Sequence, residues 1–156
     1  MGFLSRLFGR DDDNGGDGTT PVKKVSPQIA RLIKKVENKY GQAQDRQIAI
    51  DQLAQVGTAE AAAGLLKRFS FRIEQTIGDE EEKQAVCNHL VVLGPTAVEP
   101  ILEYLREENA PYWPTKALRQ IVGDDATVTY LLDIIRNMDA IFDRDINRKI
   151  ELVSNL

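Results

Sequence analysis

Three times along this chain a helical run ends in an aliphatic residue followed by glycine, and a new helical run begins within one or two residues. Val56-Gly57, Leu93-Gly94 and Val122-Gly123 form these corners, 37 and then 29 residues apart. Glycine at the end of a helix lets the backbone take a positive φ and reverse within a few residues. Thr58, Pro95-Thr96 and Asp124-Asp125 follow as residues that start helices. Each second helix opens with small residues and closes on Leu65-Leu66, Ile101-Leu102 or Leu131-Leu132 with Ile134-Ile135. A fixed corner between amphipathic helices constrains the fold more than any other feature here. Each helix pair carries an apolar stripe that it can bury only against a neighbouring pair.

The helical reading covers most of the chain. Ser26 as N-cap, Pro27 at the first helical position and Gly41 as a stop predict a helix over 26–41. Ile29, Leu32, Ile33, Val36 and Tyr40 share one face at 3.6-residue spacing. Further helices are expected at about 43–56, 58–77, 80–93, 97–108, 115–122, 125–136 and 144–156. No stretch sustains the period-two alternation of a strand.

The corners, together with LGPTAVEPILEYL and the Ala49-Leu53-Gly57 rhythm, resemble the bacterial HEAT-like repeat family, in its bilin-lyase-type form. The resemblance spans about 46–136 and implies an all-α fold. It would be a short right-handed α-solenoid of HEAT-like helix pairs, about three repeats with end caps. Gly57, Gly94 and Gly123 would be its structural hinges. The last helix reaches Leu156 where another hinge glycine would be due, so it is either a terminal cap or the middle of a repeat that continues. Val153 and Leu156 would then be apolar surface.

Composition narrows the chemistry. With 42% apolar residues the 156-residue chain can bury a core. A formal net charge of −4 argues against a general nucleic-acid binder. The lone cysteine, Cys87, fits a reducing, cytoplasmic compartment and reads as a small buried residue. One histidine, His89, and one cysteine cannot form a zinc site without several carboxylates, so neither metal nor cofactor is expected. The di-iron hydroxylases among HEAT-like enzymes need paired His-Glu motifs that this chain cannot supply. Glu80-Glu81-Glu82 reads as a charged helix start that favours the helix dipole.

The most unusual segment inside the repeats is Ala110-Pro111-Tyr112-Trp113-Pro114, which holds the only tryptophan. Aromatics on a proline-stiffened turn can anchor a peptide or stack a base; the plain alternative is that Trp113 packs under the corner. Tyr112, Trp113, Glu99, Glu103, Arg106 and Arg68 are the candidate binding surface. HEAT-like glycosylases use a basic concave face, whereas the expected inner helices here are of mixed charge. HEAT-like bilin lyases are usually longer, and nothing here marks a tetrapyrrole pocket.

Residues 1–10, MGFLSRLFGR, precede an acidic, glycine-rich linker at 11–24, and the helical domain occupies 25–156. Four aspartates in the linker do not match a calcium loop, because Val22 stands where its closing glutamate belongs. On a helix, Phe3, Leu4, Leu7 and Phe8 form one face and Arg6 the other, with Arg10 just beyond. GFLSRLFG resembles the membrane-targeting tail of the bacterial division ATPase MinD. Such a segment places aromatics and leucines among acyl chains and arginines among anionic headgroups. Burying four such side chains yields roughly 6–12 kcal/mol at most. Ordering the segment offsets about 1–2 kcal/mol per residue, so adsorption is weak without a second contact. Three readings stay open: a foot on an anionic membrane, a helix for a partner's groove, or a cover for the solenoid's own end. The sequence therefore favours a non-enzymatic scaffold or adaptor for a protein partner, with oligomeric state unassigned. The alternative is an enzyme accessory or lyase-like protein that takes a ligand at Tyr112 and Trp113.

Overall fold

The computed structural model describes residues 25–138 and 143–156. The segment 1–10, with Phe3, Leu4, Arg6, Leu7, Phe8 and Arg10, and the linker 11–24 lie outside the described residues. Among the described residues every regular element is helical: α1 (Pro27–Glu37), α2 (Ala43–Val56), α3 (Ala59–Leu66), a 3-10 turn (Lys67–Ser70), α4 (Thr76–Leu93), α5 (Pro95–Glu107), α6 (Tyr112–Val122), α7 (Asp124–Arg136) and α8 (Asp143–Val153).

The helices pack in two rows. One runs α1, α3, α5, α7 and the other α2, α4, α6, while α8 closes on α7. Between the rows lies one continuous apolar core, in which Ile33, Ile50, Leu53, Leu65, Leu90, Ile101, Leu105, Leu118 and Leu131 are wholly buried. Gly64 on α3 permits the closest approach of α1, since a Cβ there would lie 2.6 Å from Ile33 Cγ1. Cys87 is buried in the same core, and burial pushes its thiol pKa up.

All three expected hinge glycines take positive φ: 69° at Gly57, 58° at Gly94 and 87° at Gly123. Only Gly57 is a left-handed cap (ψ 14°), its N–H donating to Leu53 O at 3.3 Å. Gly94 and Gly123 instead pair positive φ with ψ of −130° and 169°. Each of these two is at once the end of one helix and the cap of the next. Thr58 caps α3 by accepting from Ala61 N at 3.2 Å.

Four expected bounds are corrected. The first helix keeps Ser26 as its cap, Oγ accepting from Ile29 N at 3.2 Å, but stops at Glu37 rather than Gly41. Asn38 breaks it by turning extended and accepting Tyr40 N on its side chain. Arg46 then takes the carbonyls of Asn38 and Gly41. Tyr40, expected on the apolar face, is 92% exposed. The helix expected over 58–77 ends at Leu66, and the next begins at Thr76 rather than residue 80, because the buried side chain of Arg68 redirects the backbone between them. Tyr112 and Trp113 lie in the first turn of α6 rather than on a turn before it, Thr115 N donating to Pro111 O.

Candidate functional site

The sequence α4 (Thr76–Leu93) begins with a run of acids, and two of its first seven residues point inward. Asp79, Glu82, Lys83, Val86, Cys87 and Leu90 share the buried stripe of this helix. Arg46 sits at the head of the stripe Arg46, Ala49, Ile50, Leu53 on α2. Arg68 comes from the 3-10 turn and is 0% exposed. Together they form a buried ionic cluster. Glu82 Oε1 accepts from Arg46 Nη2 at 2.8 Å, and Glu82 Oε2 accepts from Arg46 Nε at 3.1 Å and Arg68 Nε at 2.6 Å. Asp79 Oδ1 accepts from Arg68 Nη2 at 2.7 Å and Asp79 Oδ2 from Lys83 Nζ at 2.7 Å.

Burial by itself would raise both carboxyl pKa values. The hydrogen bonds outweigh it: Lys83, Arg68 and the Ile73 N–H hold Asp79 below the usual carboxylate range, and Arg46 and Arg68 do the same for Glu82. The cluster also fastens the connecting segment 71–75. Arg68 Nη1 donates to Phe71 O at 3.2 Å, and Ile73 N donates to Asp79 Oδ1 at 3.1 Å.

That segment runs between two surface clefts. The larger, about 570 Å³, is walled by Phe71, Arg72, Lys83, Tyr112 and Trp113, with Asn155 at the C-terminal side. The other, about 540 Å³, takes in Tyr40, Arg46, Ile73 and Glu74. In the first, the half-buried Trp113 lies parallel to the buried Phe69, 8° between planes and 6.4 Å between centroids. Tyr112 meets Trp113 edge-on at 5.3 Å and is 59% exposed. Lys116 Nζ stands 4.6 Å over the indole and donates to Gln84 Oε1. The far wall is tied to α6 by Arg119 Nη2, which donates to the carbonyls of Asn155 and Leu156 at 2.7 and 2.8 Å. Trp113 is thus held by Phe69 and Lys116, and Tyr112 stands beside it on the rim.

Of the residues expected to share one binding surface, the structure places only Tyr112 and Trp113 on the aromatic cleft. Arg68 is corrected from surface to core, where the carboxylates of Asp79 and Glu82 pair with its buried guanidinium. Glu99, Glu103 and Arg106 form their own group on α5, where Arg106 Nη1 donates to Glu99 Oε1 at 3.1 Å and Glu103 Oε1 at 3.2 Å. They do not line the aromatic cleft. Glu82, read as part of a charged helix start, is the centre of the buried cluster. His89 is partly exposed and bonds Asp51 across the α2–α4 contact at 3.1 Å.

Sequence reasoning missed the cluster, yet a signal was present. Arg46, Glu82 and Lys83 occupy positions in phase with apolar residues on their own helices, where a charge must be buried or the stripe broken. Among the described residues no group of three or more His, Cys, Asp or Glu could hold a metal ion. Among the same residues no helix is long and apolar enough to cross a membrane. Comparisons with family models, curated proteins and solved structures give no match.

Proposed function

We propose that this chain is a non-enzymatic scaffold or adaptor that holds a protein partner at the Tyr112–Trp113 cleft. The observation that carries this reading is the cleft of about 570 Å³ with a 59% exposed tyrosine, edge-on to Trp113, at its rim. Interfaces draw their energy from a few aromatic and arginine anchors in preordered surroundings. Here Tyr112 and Arg72 offer that pair of residue types on one cleft.

The two rows of alternating helices and the three glycine corners support reading the domain as a short right-handed HEAT-like α-solenoid. Such arrays present concave surfaces to partners. Residues 1–10 serve, in this reading, as an amphipathic foot on the cytoplasmic face of an anionic membrane.

The test uses the full chain in its native cells, with Tyr112→Ala and Arg72→Ala as cleft variants. Val92→Ser on the 85% exposed Val92 of α4 serves as a surface control. A partner held by wild type and by V92S but lost from both cleft variants supports the reading. Equal recovery with all four chains overturns it. A lyase-like or accessory role at the same corner predicts instead that a small ligand co-purifies and quenches Trp113, with no protein partner.

A further inference from the structure

The outward face of α1 is basic in an acidic protein. Arg31, Lys34 and Lys35 fall at i, i+3 and i+4, opposite the buried Ile29, Leu32, Ile33 and Val36, and all three are exposed. Lys39 and Tyr40 follow in the turn after the helix, Lys39 Nζ lying 5.7 Å from the Tyr40 ring centre. Among the described residues none of these four cations has a carboxylate partner. The single acid of α1, Glu37, faces Lys67 at 4.0 Å. Lys34 and Lys35 also complement the C-terminal end of the helix dipole, but Arg31, a turn earlier, lies outside the reach of that effect. Collecting four cations on one short stretch of a chain with net charge −4 creates a local field that no carboxylate among the described residues satisfies.

From this face we infer that α1 lies against an anionic lipid surface and supplies a second membrane contact beside residues 1–10. The choice of lipid as the source of negative charge rests on the membrane-attached reading above. Tyr40 supports it independently. A ring that is 92% exposed beside a lysine suits the boundary between headgroups and acyl chains. Duplex phosphate would leave that ring nothing to bury against. Position is compatible with it: the linker joins the domain at α1, so this helix lies within the linker's reach of an inserted N-terminal peptide. Extended, the linker 11–24 reaches about 50 Å at most. Two weak contacts on one chain act in concert, because the first raises the effective concentration of the second.

The experiment is co-sedimentation of the full chain with vesicles of equal parts phosphatidylglycerol and phosphatidylcholine, and with phosphatidylcholine alone. One variant carries Arg31→Gln, Lys34→Gln, Lys35→Gln and Lys39→Gln; glutamine keeps helix propensity close to that of lysine, and circular dichroism verifies the fold. A second carries Leu4→Ser and Leu7→Ser. Each basic residue near an anionic surface contributes about fivefold in partitioning, so the charge variant should bind the mixed vesicles several hundredfold more weakly, about four such factors. Wild-type binding should fall with added salt, and L4S/L7S should keep a salt-sensitive remainder.

Unchanged binding of the charge variant overturns the inference. If L4S/L7S then loses all binding, the N-terminal foot stands and the α1 contact alone falls. If wild type pellets with neither vesicle, both readings fall. Equal pelleting with neutral vesicles also overturns the α1 contact, as does displacement by duplex DNA at matched ionic strength.

Discussion

Replacing Glu82 by glutamine should destabilise this protein strongly, although it keeps the shape of the side chain. What changes is that Arg46, 3% exposed, and Arg68, 0% exposed, lose the carboxylate that accepts three of their hydrogen bonds. The cluster holds three cations (Arg46, Arg68, Lys83) and two carboxylates (Asp79, Glu82), a net of +1. With Glu82→Gln the net becomes +2, and an amide N–H2 group faces guanidinium donors. Removing one member of a buried pair costs about 3–5 kcal/mol. Against a total of about 5–15 kcal/mol for an ordinary domain, that is roughly a fifth of the stability or more. At about 3–4 °C per kcal/mol for a domain of this size, Tm should drop by roughly 10–20 °C.

Urea unfolding followed by far-UV circular dichroism and by the fluorescence of Trp113 gives two probes of one transition. Coincident curves license the two-state comparison. A loss under about 1 kcal/mol at unchanged slope would refute the reasoning, because it would mean that water already solvates the guanidinium groups. A companion variant sharpens the point. Arg46→Met, Arg68→Met and Glu82→Leu together leave Asp79 and Lys83 paired, and should recover most of the loss, since well-packed apolar residues replace buried ion groups at little cost.

Two further outcomes follow from the same geometry. Asp79 and Glu82 titrate below their unfolded values, so the stability they confer is fully present at neutral pH and is lost as pH falls through their depressed folded values. Thermal melts should therefore be flat from neutral pH down to about 5 and decline below about 4, and D79N should flatten that acid limb; an acid limb unaltered in D79N would contradict the assignment. Gly94→Ala should cost about 1–3 kcal/mol through backbone strain alone, because φ 58° with ψ −130° is disfavoured for a residue with a Cβ while the space around it is open. A neutral result in a chemical melt would show that the corner relaxes freely.

Local rules of the chain foretold much of this fold. The bounds 43–56 of α2 follow from its corner glycine, and the caps at Ser26 and Thr58 act as their residue types dictate. The buried placement of Cys87 was legible for the same reason, as it lies in phase with Val86 and Leu90. What escaped were contacts between distant positions. Arg46 and Glu82 are 36 residues apart, and Arg68 and Asp79 are separated by 11, so no local pattern announces either pair. The break after Leu66 is a consequence of those pairs rather than of any breaker residue at the spot. Phe69-Ser70-Phe71 has no glycine or proline, and the conspicuous Gly78 sits quietly inside α4. Tyr112 and Trp113 were visible as an oddity of composition, whereas Phe69, Lys116 and Arg72 join them only through tertiary packing.

The corners at Gly94 and Gly123 each spend a single residue on turning from one row to the other. Such a corner has no slack for changes in chain length. One residue added or deleted there advances the following helix by about 100°, swinging its apolar stripe away from the core. Segment 71–75, held at Phe71 and Ile73 but irregular between helices, can absorb the same change as a bulge. Length variation should therefore be better tolerated in that connection than at these two corners, so that the rim beside the clefts can lengthen without changing the phase of the helices that follow.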